Sequence, residues 1–416
     1  MGVSLHKMSQ QLHTPFVGQA QPDLVVAGAG VMGLWAARHA LKRGESVLVL
    51  EKREVGAGAS GGFLGSLMPH MPDRWNAKKQ LQYDGLASLE AAVGELEADT
   101  GLDCGYRRCG RLMPMKHERM LAHLEERIAG ARDWWTDEDG KQAYFMEHVP
   151  PEELGRRFKT PDGTPWLSPD LAEFGASHDT LSARAHPRSY LMALAAYVRN
   201  HPRGEIREGA HVLAIETDGD GVSASLADGS RIGCGRAVIA NGWEAYALLG
   251  AMNGGKGAVC AGQPITGRGV KGQAVLFELA HDDSLPIIYD SGTYIIPHGT
   301  VAGSDEEGGP HLISAGSTSV DDWLGWHEDA EQARKAFDRD DTAFYDHAYE
   351  LAPALEHAPI VRRWANVRPR NTMTDPETGK VGTDALFGAL EGQENIRVAI
   401  GGFKISFALA HLAHEL

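Results

Sequence analysis

Three glycines and one acid near the N-terminal end have the types and spacing that bind a dinucleotide. Gly28, Gly30 and Gly33 form the pattern G-x-G-x-x-G, and Glu51 follows Gly30 by 21 residues. In such a motif the first glycine permits a tight turn, the second lets the backbone approach a pyrophosphate, and the third allows close helix packing. The acid accepts hydrogen bonds from ribose hydroxyls. The pattern alone is weak support in a chain with 50 glycines, so its surroundings matter.

The surrounding segments supply the elements that position these residues. Residues 24–27 are a short apolar run typical of a buried parallel strand. Apolar residues recur at helical spacing over 34–41, Gly44 ends that helix, and residues 47–50 form a second apolar run. This order predicts a Rossmann-like unit, in which the N-terminus of the helix directs N–H groups at the phosphates.

A second glycine-rich loop follows, over residues 55–69. A nicotinamide-binding domain has no need for such a loop directly after the ribose-binding acid. Small side chains and free backbone donors suit a large flat ring and a second phosphate that lie close to the chain. The loop therefore favours FAD over NAD.

Residues 59–69 read A-S-G-x-x-x-G-x-L-x-P. This pattern resembles the flavin-contacting loop of the D-amino acid oxidase superfamily of FAD-dependent oxidoreductases, in its glycine oxidase and sarcosine oxidase branch. The resemblance implies FAD, with the first part of the loop near the pyrophosphate and the second near the isoalloxazine ring. These contacts fall to Ser60 and Gly61, and to Gly65, Ser66 and Leu67, respectively.

Later segments match the same family in order and spacing, over about nine-tenths of the chain. The resemblance implies an adenine contact through the backbone of Val212, a return beside the phosphates at 241–243, and a turn at Gly401 before the last helix. That helix is expected to direct its positive end at the flavin carbonyl where charge appears on reduction. The complete set of predicted FAD contacts is Gly28, Gly30, Val31, Met32, Gly33, Glu51, Lys52, Ala59, Ser60, Gly61, Gly65, Ser66, Leu67, Val212, Asn241, Gly242, Trp243, Arg368, Gly401, Gly402, Phe403 and Lys404.

Two cations are the candidates for holding a substrate. The resemblance implies oxidation of an amino acid or secondary amine, in which a hydride leaves the carbon bearing nitrogen for flavin N5 and the resulting imine hydrolyses. A zwitterionic substrate needs a cation for its carboxylate in a water-poor pocket. Arg368, in an Arg-Pro segment, matches an arginine of D-amino acid and glycine oxidases. Lys404, in Gly-Phe-Lys, matches a lysine of sarcosine-oxidase-like members.

Each candidate catalytic residue also has a simpler interpretation. Arg368 can form a structural ion pair or a flavin contact instead of binding substrate. Tyr294, the third predicted catalytic residue, and Tyr289 can hydrogen bond a substrate, although packing in a sheet is the simpler role. His70 follows the flavin loop, where an exposed histidine is the simpler expectation, and the role of His298 is open.

The sequence predicts an α/β FAD-binding Rossmann-like domain that is discontinuous, plus an α+β substrate domain with a mostly antiparallel sheet. The stretches that fit the FAD domain poorly contain strand-like runs with turn breaks and a polar helix. The predicted boundaries are a loose leader at 1–20, an FAD-binding domain at 21–101, 181–259 and 361–416, and a substrate domain at 102–180 and 260–360. Residues 303–309 are predicted to form an exposed loop.

The composition argues against several kinds of protein. The 416 residues are 43% hydrophobic and 23% charged, which is typical of a folded globular chain. A net charge of −16 argues against a nucleic-acid partner, because phosphate binding needs clustered lysine and arginine. No run of about 18 apolar residues is present, so no membrane span is expected. The four cysteines lack zinc-site partners, so the sequence predicts no metal, reduced thiols and a cytoplasmic location.

Departures from the family pattern bear on how the flavin is held. The C-terminal segment has no cysteine and no histidine lies beside Ser60, the positions where some relatives attach flavin. FAD is therefore predicted to be non-covalent. The expected partners are a small amine or amino acid, and oxygen or another electron acceptor. An oxidative tRNA-modifying enzyme of the same fold and a flavin-binding protein without turnover stay open as alternatives, and the oligomeric state is unassigned.

Overall fold

Two large β-sheets organise the chain. The computed structural model describes residues 21–300, 311–324, 329–340, 343–374, 379, 381–382, 384–414 and 416. The predicted leader at 1–20 and the predicted exposed loop at 303–309 lie outside the described residues. Within these residues a mostly parallel sheet stands beside a mostly antiparallel one, which confirms the predicted fold class.

The first sheet is parallel except at one edge. Its strands, in spatial order, are β22 (Leu386–Leu390), β23 (Gln393–Ile400), β12 (Arg236–Ile239), β1 (Leu24–Ala27), β2 (Val47–Leu50) and β8 (Gly204–Arg207). Strands β23 to β8 are parallel, and β22 pairs antiparallel with β23. Every residue of β1 and β2 is buried, as expected for parallel strands covered on both faces.

Helices cover one face of this sheet, where α1, α2 and α5 share a hydrophobic core with β1 and β2. The α-helices of the described residues are α1 (Val31–Lys42), α2 (Ala77–Thr100), α3 (Arg119–Trp134), α4 (Pro151–Arg157), α5 (Pro187–Asn200), α6 (Ala245–Gly255), α7 (Ala330–Lys335), α8 (Ala343–Leu351) and α9 (Ser406–Leu409).

A small sheet and α6 cover the other face of the parallel sheet. Its three strands are β9 (Val212–Asp218), β10 (Gly221–Leu226) and β11 (Arg231–Cys234), and they pair antiparallel in sequence order. The antiparallel meander expected from alternating residues around Gly and Asp-Gly turns is therefore confirmed.

The second large sheet has eight strands and one parallel pair. Its strands, in spatial order, are β19 (Ile360–Asn371), β15 (Gly267–Glu278), β18 (His311–Gly316), β17 (Thr293–Thr300), β16 (Ile287–Asp290), β4 (Arg111–Pro114), β6 (Ala176–Asp179) and β5 (Met146–Val149). Only β16 and β4 run parallel within this sheet.

Successive side chains of β15 point to opposite faces of the sheet and therefore pack into two different hydrophobic cores. Val275 and Phe277 pack on the side of α8, whereas Ala274 and Leu276 pack against Phe63 of the glycine-rich loop. The second sheet thus presents one face to its own helices and the other to the loop predicted to contact flavin.

The domain boundaries remain a prediction, and sheet membership departs from them at one strand. Residues from 361 onward are predicted to belong to the FAD-binding domain, yet β19 pairs with β15 in the second sheet along its length. Because β19 runs to Asn371, the chain leaves this sheet ten residues later than the predicted boundary.

Three strand pairs complete the described structure. They are β3 (Ser66–Leu67) with β7 (Ala183–Arg184), β13 (Val259–Cys260) with β14 (Gln263–Pro264), and β20 (Met373–Thr374) with β21 (Val381–Gly382). The four cysteines are free thiols. No helix in the described part of the chain is both long enough and apolar enough to cross a bilayer.

Candidate active site

A deep cavity lies where the carboxyl ends of the parallel strands meet the second sheet. Its wall includes Ala27, Glu51 and Ile400, at or just after the ends of β1, β2 and β23. From the second sheet come Tyr294 of β17 and Arg368 of β19. In open α/β sheets, ligands bind in a crevice at this end of the strands. We call this space the first cavity.

Most of the predicted FAD contacts line the first cavity. They are Gly28, Gly30, Val31, Met32, Glu51, Lys52, Ala59, Ser60, Gly65, Ser66, Val212, Asn241, Gly242, Trp243, Arg368, Gly401, Phe403 and Lys404. The remaining four are Gly33, Gly61, Leu67 and Gly402, which are absent from its wall. Leu67 is fully buried in a hydrophobic core and Gly402 lines a neighbouring space. FAD contact stays a prediction at all of these residues.

Close backbone packing explains three of the glycines. Gly28 has a φ of +106°, and a Cβ there would lie 2.6 Å from the carbonyl oxygen of Ala240, the residue after β12. A Cβ on Gly33 would lie 2.0 Å from the oxygen of Gly28, and one on Gly61 would lie 2.0 Å from the oxygen of Gly56. Real Cβ atoms do not approach so closely, so these turns admit only glycine without rearrangement.

The N-terminus of α1 opens onto the first cavity. Gly30, at the N-cap, offers no side chain, and the first turn of the helix contains no acid. Ser60 Oγ accepts a hydrogen bond from the Val31 N–H at 3.1 Å. The positive end of the helix therefore faces the cavity beside a hydroxyl, an arrangement that suits a phosphate.

Glu51 is fixed by the backbone. Its Oε2 accepts from the Ala29 N–H and its Oε1 from the Arg53 N–H, both at 2.9 Å. Only 9% of the residue is exposed, and it lines the first cavity. Since a carboxylate has about four lone-pair sites, both oxygens keep capacity to accept a ribose hydroxyl.

Lys404 carries a charge that no carboxylate neutralises among the described residues. Its Nζ lies 4.9 Å from the ring centre of Tyr294 and 5.9 Å from that of Phe403. Burial lowers the pKa of Lys404 to about 8, and the positive charges of Arg368 and Arg370 contribute. An ammonium group in this setting gains from a bound carboxylate.

Arg368 is anchored by a neighbouring loop. Its Nη1 donates to Ser317 Oγ at 3.0 Å, and its Nη2 donates to the Thr318 oxygen at 2.7 Å and to Ser319 Oγ at 3.2 Å. Its Nε is buried and has no hydrogen-bond partner within the described residues. Burial lowers the pKa of Arg368 to about 10. The guanidinium is therefore held in place while its buried Nε–H stays unpaired.

A second space, which we call the chamber, adjoins the first cavity. Both share Ser66, Tyr294, Phe403 and Lys404 as wall residues, and the chamber volume is about 310 Å³. Its wall adds residues from the loop after the flavin segment, from α2, from β4 and β16, and from the segments at 384–385 and 402–409. They are Met68, Pro69, His70, Met71, Lys78, Leu81, Gln82, Arg111, Met113, Tyr289, Asp384, Ala385, Gly402, Ile405 and Leu409. Lys404 thus stands at the junction of the two spaces.

The sequence profile of a family described as FAD dependent oxidoreductase matches residues 23–416. The chain belongs to this family.

The relatives of this FAD-dependent oxidoreductase differ in the length over which they align with it. Glycine oxidase of Pseudomonas putida is 24% identical over 400 residues, which are 95% of this chain and 93% of that protein. The tRNA 5-methylaminomethyl-2-thiouridine biosynthesis bifunctional protein of Chromohalobacter salexigens is 27% identical over 239 residues, 56% of this chain but 30% of that protein. The crystal structure of glycine oxidase from Geobacillus kaustophilus has a TM-score of 0.73 at 22% identity and covers 96% of this chain and 94% of its own, which confirms the fold.

The residues of the first cavity fit the cofactor of this oxidoreductase family. The open helix end suits a pyrophosphate and Glu51 suits a ribose, as described above. Asn241 Oδ1 is buried in the wall of the cavity without a hydrogen-bond partner among the described residues. An orphaned acceptor in a cavity marks a position where a ligand donor is missing. We therefore expect FAD to lie in the first cavity.

The other histidines and tyrosines singled out from the sequence have distinct positions. His298 is 1% exposed, and its Nε2 lies 2.8 Å from the Phe63 oxygen and 3.0 Å from Ser314 Oγ, so it links the glycine-rich loop to the second sheet. His70 is exposed, as expected, and lines the chamber. Tyr289 also lines the chamber, with its ring centre 4.9 Å from that of Tyr294. Burial raises the pKa of Tyr294.

One group of metal-ligand residue types occurs elsewhere in the described structure. His281, Asp283 and His311 bring their ligand atoms within 4.8 Å of one another. Both ring nitrogens of His281 already have backbone partners, the Leu279 oxygen at 2.8 Å and the Gly299 N–H at 3.1 Å. The sequence-based expectation of no metal site stays a prediction.

Sequence reasoning missed the chamber, because its wall comes from segments far apart in the chain. One signal was present in α2. The buried positions 82, 86, 89, 93 and 96 recur at helical spacing on one face of α2. Four of them are apolar, but position 82 is a glutamine. A polar residue on such a stripe marks a place where a buried hydrogen bond or a ligand is to be sought.

Proposed function

We propose that the protein oxidises the carbon–nitrogen bond of a small amino acid or secondary amine that carries a carboxylate. The observation that carries this proposal is Lys404, whose half-buried ammonium group has no carboxylate partner among the described residues and lies at the junction of the first cavity and the chamber. The glycine oxidases of similar fold support an amino acid as the substrate.

In this proposal each residue has a specific task. Lys404 binds the substrate carboxylate, and the spare Nε–H of Arg368 adds a second donor close by. Tyr294, whose raised pKa keeps the phenol protonated, closes the wall between the two spaces and orients the substrate. Bound FAD supplies the acceptor for a hydride from the carbon next to nitrogen, and the resulting imine is hydrolysed by water. The side chains of the protein therefore position the substrate and provide the positive charge that binds its carboxylate.

The direct experiment is an anaerobic titration of the purified holoprotein with glycine, sarcosine, proline, D- and L-amino acids, and simple amines without a carboxylate. Bleaching of the flavin band by a carboxylate-bearing amine supports the proposal. Readmission of air then separates an oxidase from a dehydrogenase. If simple amines without a carboxylate bleach the flavin equally well, the proposal is wrong.

Lys404→Met tests the role of the ammonium group. Loss of a charge-assisted hydrogen bond costs about 1.5–3 kcal/mol, so we expect the KM for the substrate to rise by about 10- to 150-fold. The FAD content should stay near that of wild type. Lys256→Met is the matched control, because Lys256 is exposed and lies outside both spaces.

The tRNA-related relative motivates a second candidate function, the modification of tRNA. That relative aligns with 56% of this chain, and the aligned part is 30% of its own length. A net charge of −16 opposes binding of a polyphosphate backbone. A low-salt gel shift with tRNA and no bleaching by any amino acid would favour a tRNA substrate. If no amino acid bleaches the flavin and tRNA gives no gel shift, the results favour a flavin protein without turnover.

A further inference from the structure

Gln82 is a buried side chain with an unused donor in the chamber wall. It is 3% exposed and lies on the stripe of α2 that faces the protein interior. Its Oε1 accepts a hydrogen bond from the His70 N–H at 3.0 Å, which fixes the orientation of the amide. Its Nε2 has no hydrogen-bond partner among the described residues. A buried donor left unpaired is costly, so a ligand acceptor at this position would be favourable.

The cations in the chamber wall differ in whether a carboxylate neutralises them. Arg111 is 3% exposed and forms an ion pair at 2.8 Å with Asp179, which is 1% exposed. Lys78 forms an ion pair at 2.5 Å with Asp384. Both cations therefore have an anionic partner, in contrast to Lys404. The chamber therefore suits a ligand with one negative charge, which Lys404 can bind. A second carboxylate near Gln82 would find no free cation, because Arg111 and Lys78 are already paired with Asp179 and Asp384.

Apolar groups also belong to the chamber wall. Met68 and Met113 belong to its wall, as do Leu81 and Leu409. Thioether and aliphatic side chains suit a chain of methylene groups. The volume of about 310 Å³ is in the range of small-ligand pockets, and it leaves room for a substrate longer than glycine.

We propose that the substrate is an amino acid with one carboxylate whose skeleton extends past the reacting bond and ends in an uncharged hydrogen-bond acceptor, such as an amide carbonyl, bound by Gln82 Nε2. This inference rests on the proposed function and specifies its substrate class. The carboxylate contacts Lys404, the methylene chain lies along Met68 and Met113, and the acceptor pairs with Gln82. The acceptor can be carried on the α-carbon or on the substrate nitrogen.

The rate of anaerobic flavin reduction at low substrate concentration tests this proposal. One series carries the group on the α-carbon: glutamine, glutamate and norleucine, each as both enantiomers. The other carries it on nitrogen: N-(carbamoylmethyl)glycine, iminodiacetate and N-propylglycine. We expect the amide to exceed both its acidic and its alkyl counterpart by at least about tenfold in one series, because an alkyl group leaves Gln82 unpaired. A preference for glycine, or an alkyl compound that matches the amide, overturns the proposal.

Gln82→Met removes the donor at nearly constant volume. We expect the ratio of amide to alkyl rates to fall by about tenfold or more in this variant, whereas Gln142→Met, on an exposed residue outside both spaces, leaves the ratio unchanged. An unchanged ratio in Gln82→Met overturns the role of Gln82.

A binding measurement on wild type needs no variant and no turnover. Glutaramate, glutarate and hexanoate carry the same three end groups but have no amine to oxidise, and their dissociation constants follow from the visible spectrum of the flavin. Tighter binding of glutaramate supports the substrate class, and equal binding of all three contradicts it. This result separates the two proposals, since the flavin can fail to be bleached by any amine while the chamber still selects the amide.

Discussion

The ammonium group of Lys404 lies among aromatic rings and other cations, where its charge is costly. Because burial and the nearby arginines lower the pKa of Lys404 to about 8, the group loses its proton within an accessible pH range. The charged form is present below this pKa and is lost as the pH rises through it. A ligand that needs the charge must therefore bind more weakly at alkaline pH.

The dissociation constant of propanoate should report this titration. Propanoate has no amine, so its own charge is constant above pH 6, and its binding can be read from the flavin spectrum. We expect binding to be about tenfold weaker at pH 9 than well below pH 8, because only the protonated lysine attracts the carboxylate.

Lys404→Arg provides the matched control, because an arginine keeps its charge over the same range. Propanoate binding to this variant should be nearly independent of pH. The same alkaline loss in Lys404→Arg would assign the titration to another group, and a flat profile in wild type would contradict the lowered pKa.

Single residues differed in how well they could be predicted. The three glycines and Glu51 are local in sequence, and each has one clear physical task, so the pattern could predict them. The other predicted contacts that line the first cavity came from the family resemblance. Gln82 was not predictable, because its importance depends on His70 and on strands from the second sheet that line the same chamber. An unpaired donor is visible only once its neighbours in space are known.

At the scale of elements, α2 packs tightly against the C-terminal helix α9. Gly85 of α2 lies against α9, where an added Cβ would be 2.5 Å from the Ala408 oxygen and 2.9 Å from Leu409 Cδ2. Gly94 of the same helix is exposed and has nothing within 4 Å of its Cβ position. The two glycines share a helix but have opposite surroundings.

Gly85→Ala and Gly94→Ala should therefore change the free energy of unfolding in opposite directions. We expect Gly85→Ala to lower it by about 1–3 kcal/mol, because α2 must move away from α9. Gly94→Ala should raise it by about 0.5–1 kcal/mol, since alanine favours the helix and meets no clash. Urea denaturation measures both, and a stabilising Gly85→Ala would contradict the tight contact.

Elements were predictable where one local pattern decided them. The runs at 24–27 and 47–50 are the strands β1 and β2, and the meander over β9 to β11 is present. The sheet to which β19 belongs was not predictable, because its pairing partner β15 lies about a hundred residues away in the chain. Backbone hydrogen bonds join the two strands, and they do not depend on which side chains the residues carry.

At the scale of the whole molecule, the first cavity joins two sheets. Strands β1, β2, β12 and β23 reach it from one sheet, and β17 and β19 from the other. A cofactor held between them stabilises the arrangement that binds it, by an amount set by its free concentration. No cysteine is among the described residues that line this cavity.

Acid precipitation should consequently release all the flavin into the supernatant, as expected for a non-covalent cofactor. The apoprotein should have a lower Tm than the holoprotein, and free FAD at about 100 times its Kd should restore about 2.7 kcal/mol of stability. Visible absorbance of the pellet and a thermal melt measure the two effects. A yellow pellet would contradict non-covalent binding.

The order of strands in the parallel sheet has a consequence for biosynthesis. Neighbouring positions in that sheet are filled by β1, which ends at Ala27, by β12, and by β23, which begins at Gln393. The ribosome thus makes the glycine-rich turn long before the opposite wall of the cavity, with Gly401 and Lys404. A nascent chain exposes the phosphate-binding half before it can enclose a flavin. Enclosure of the cofactor therefore has to wait until β23 has been made and has paired with β12.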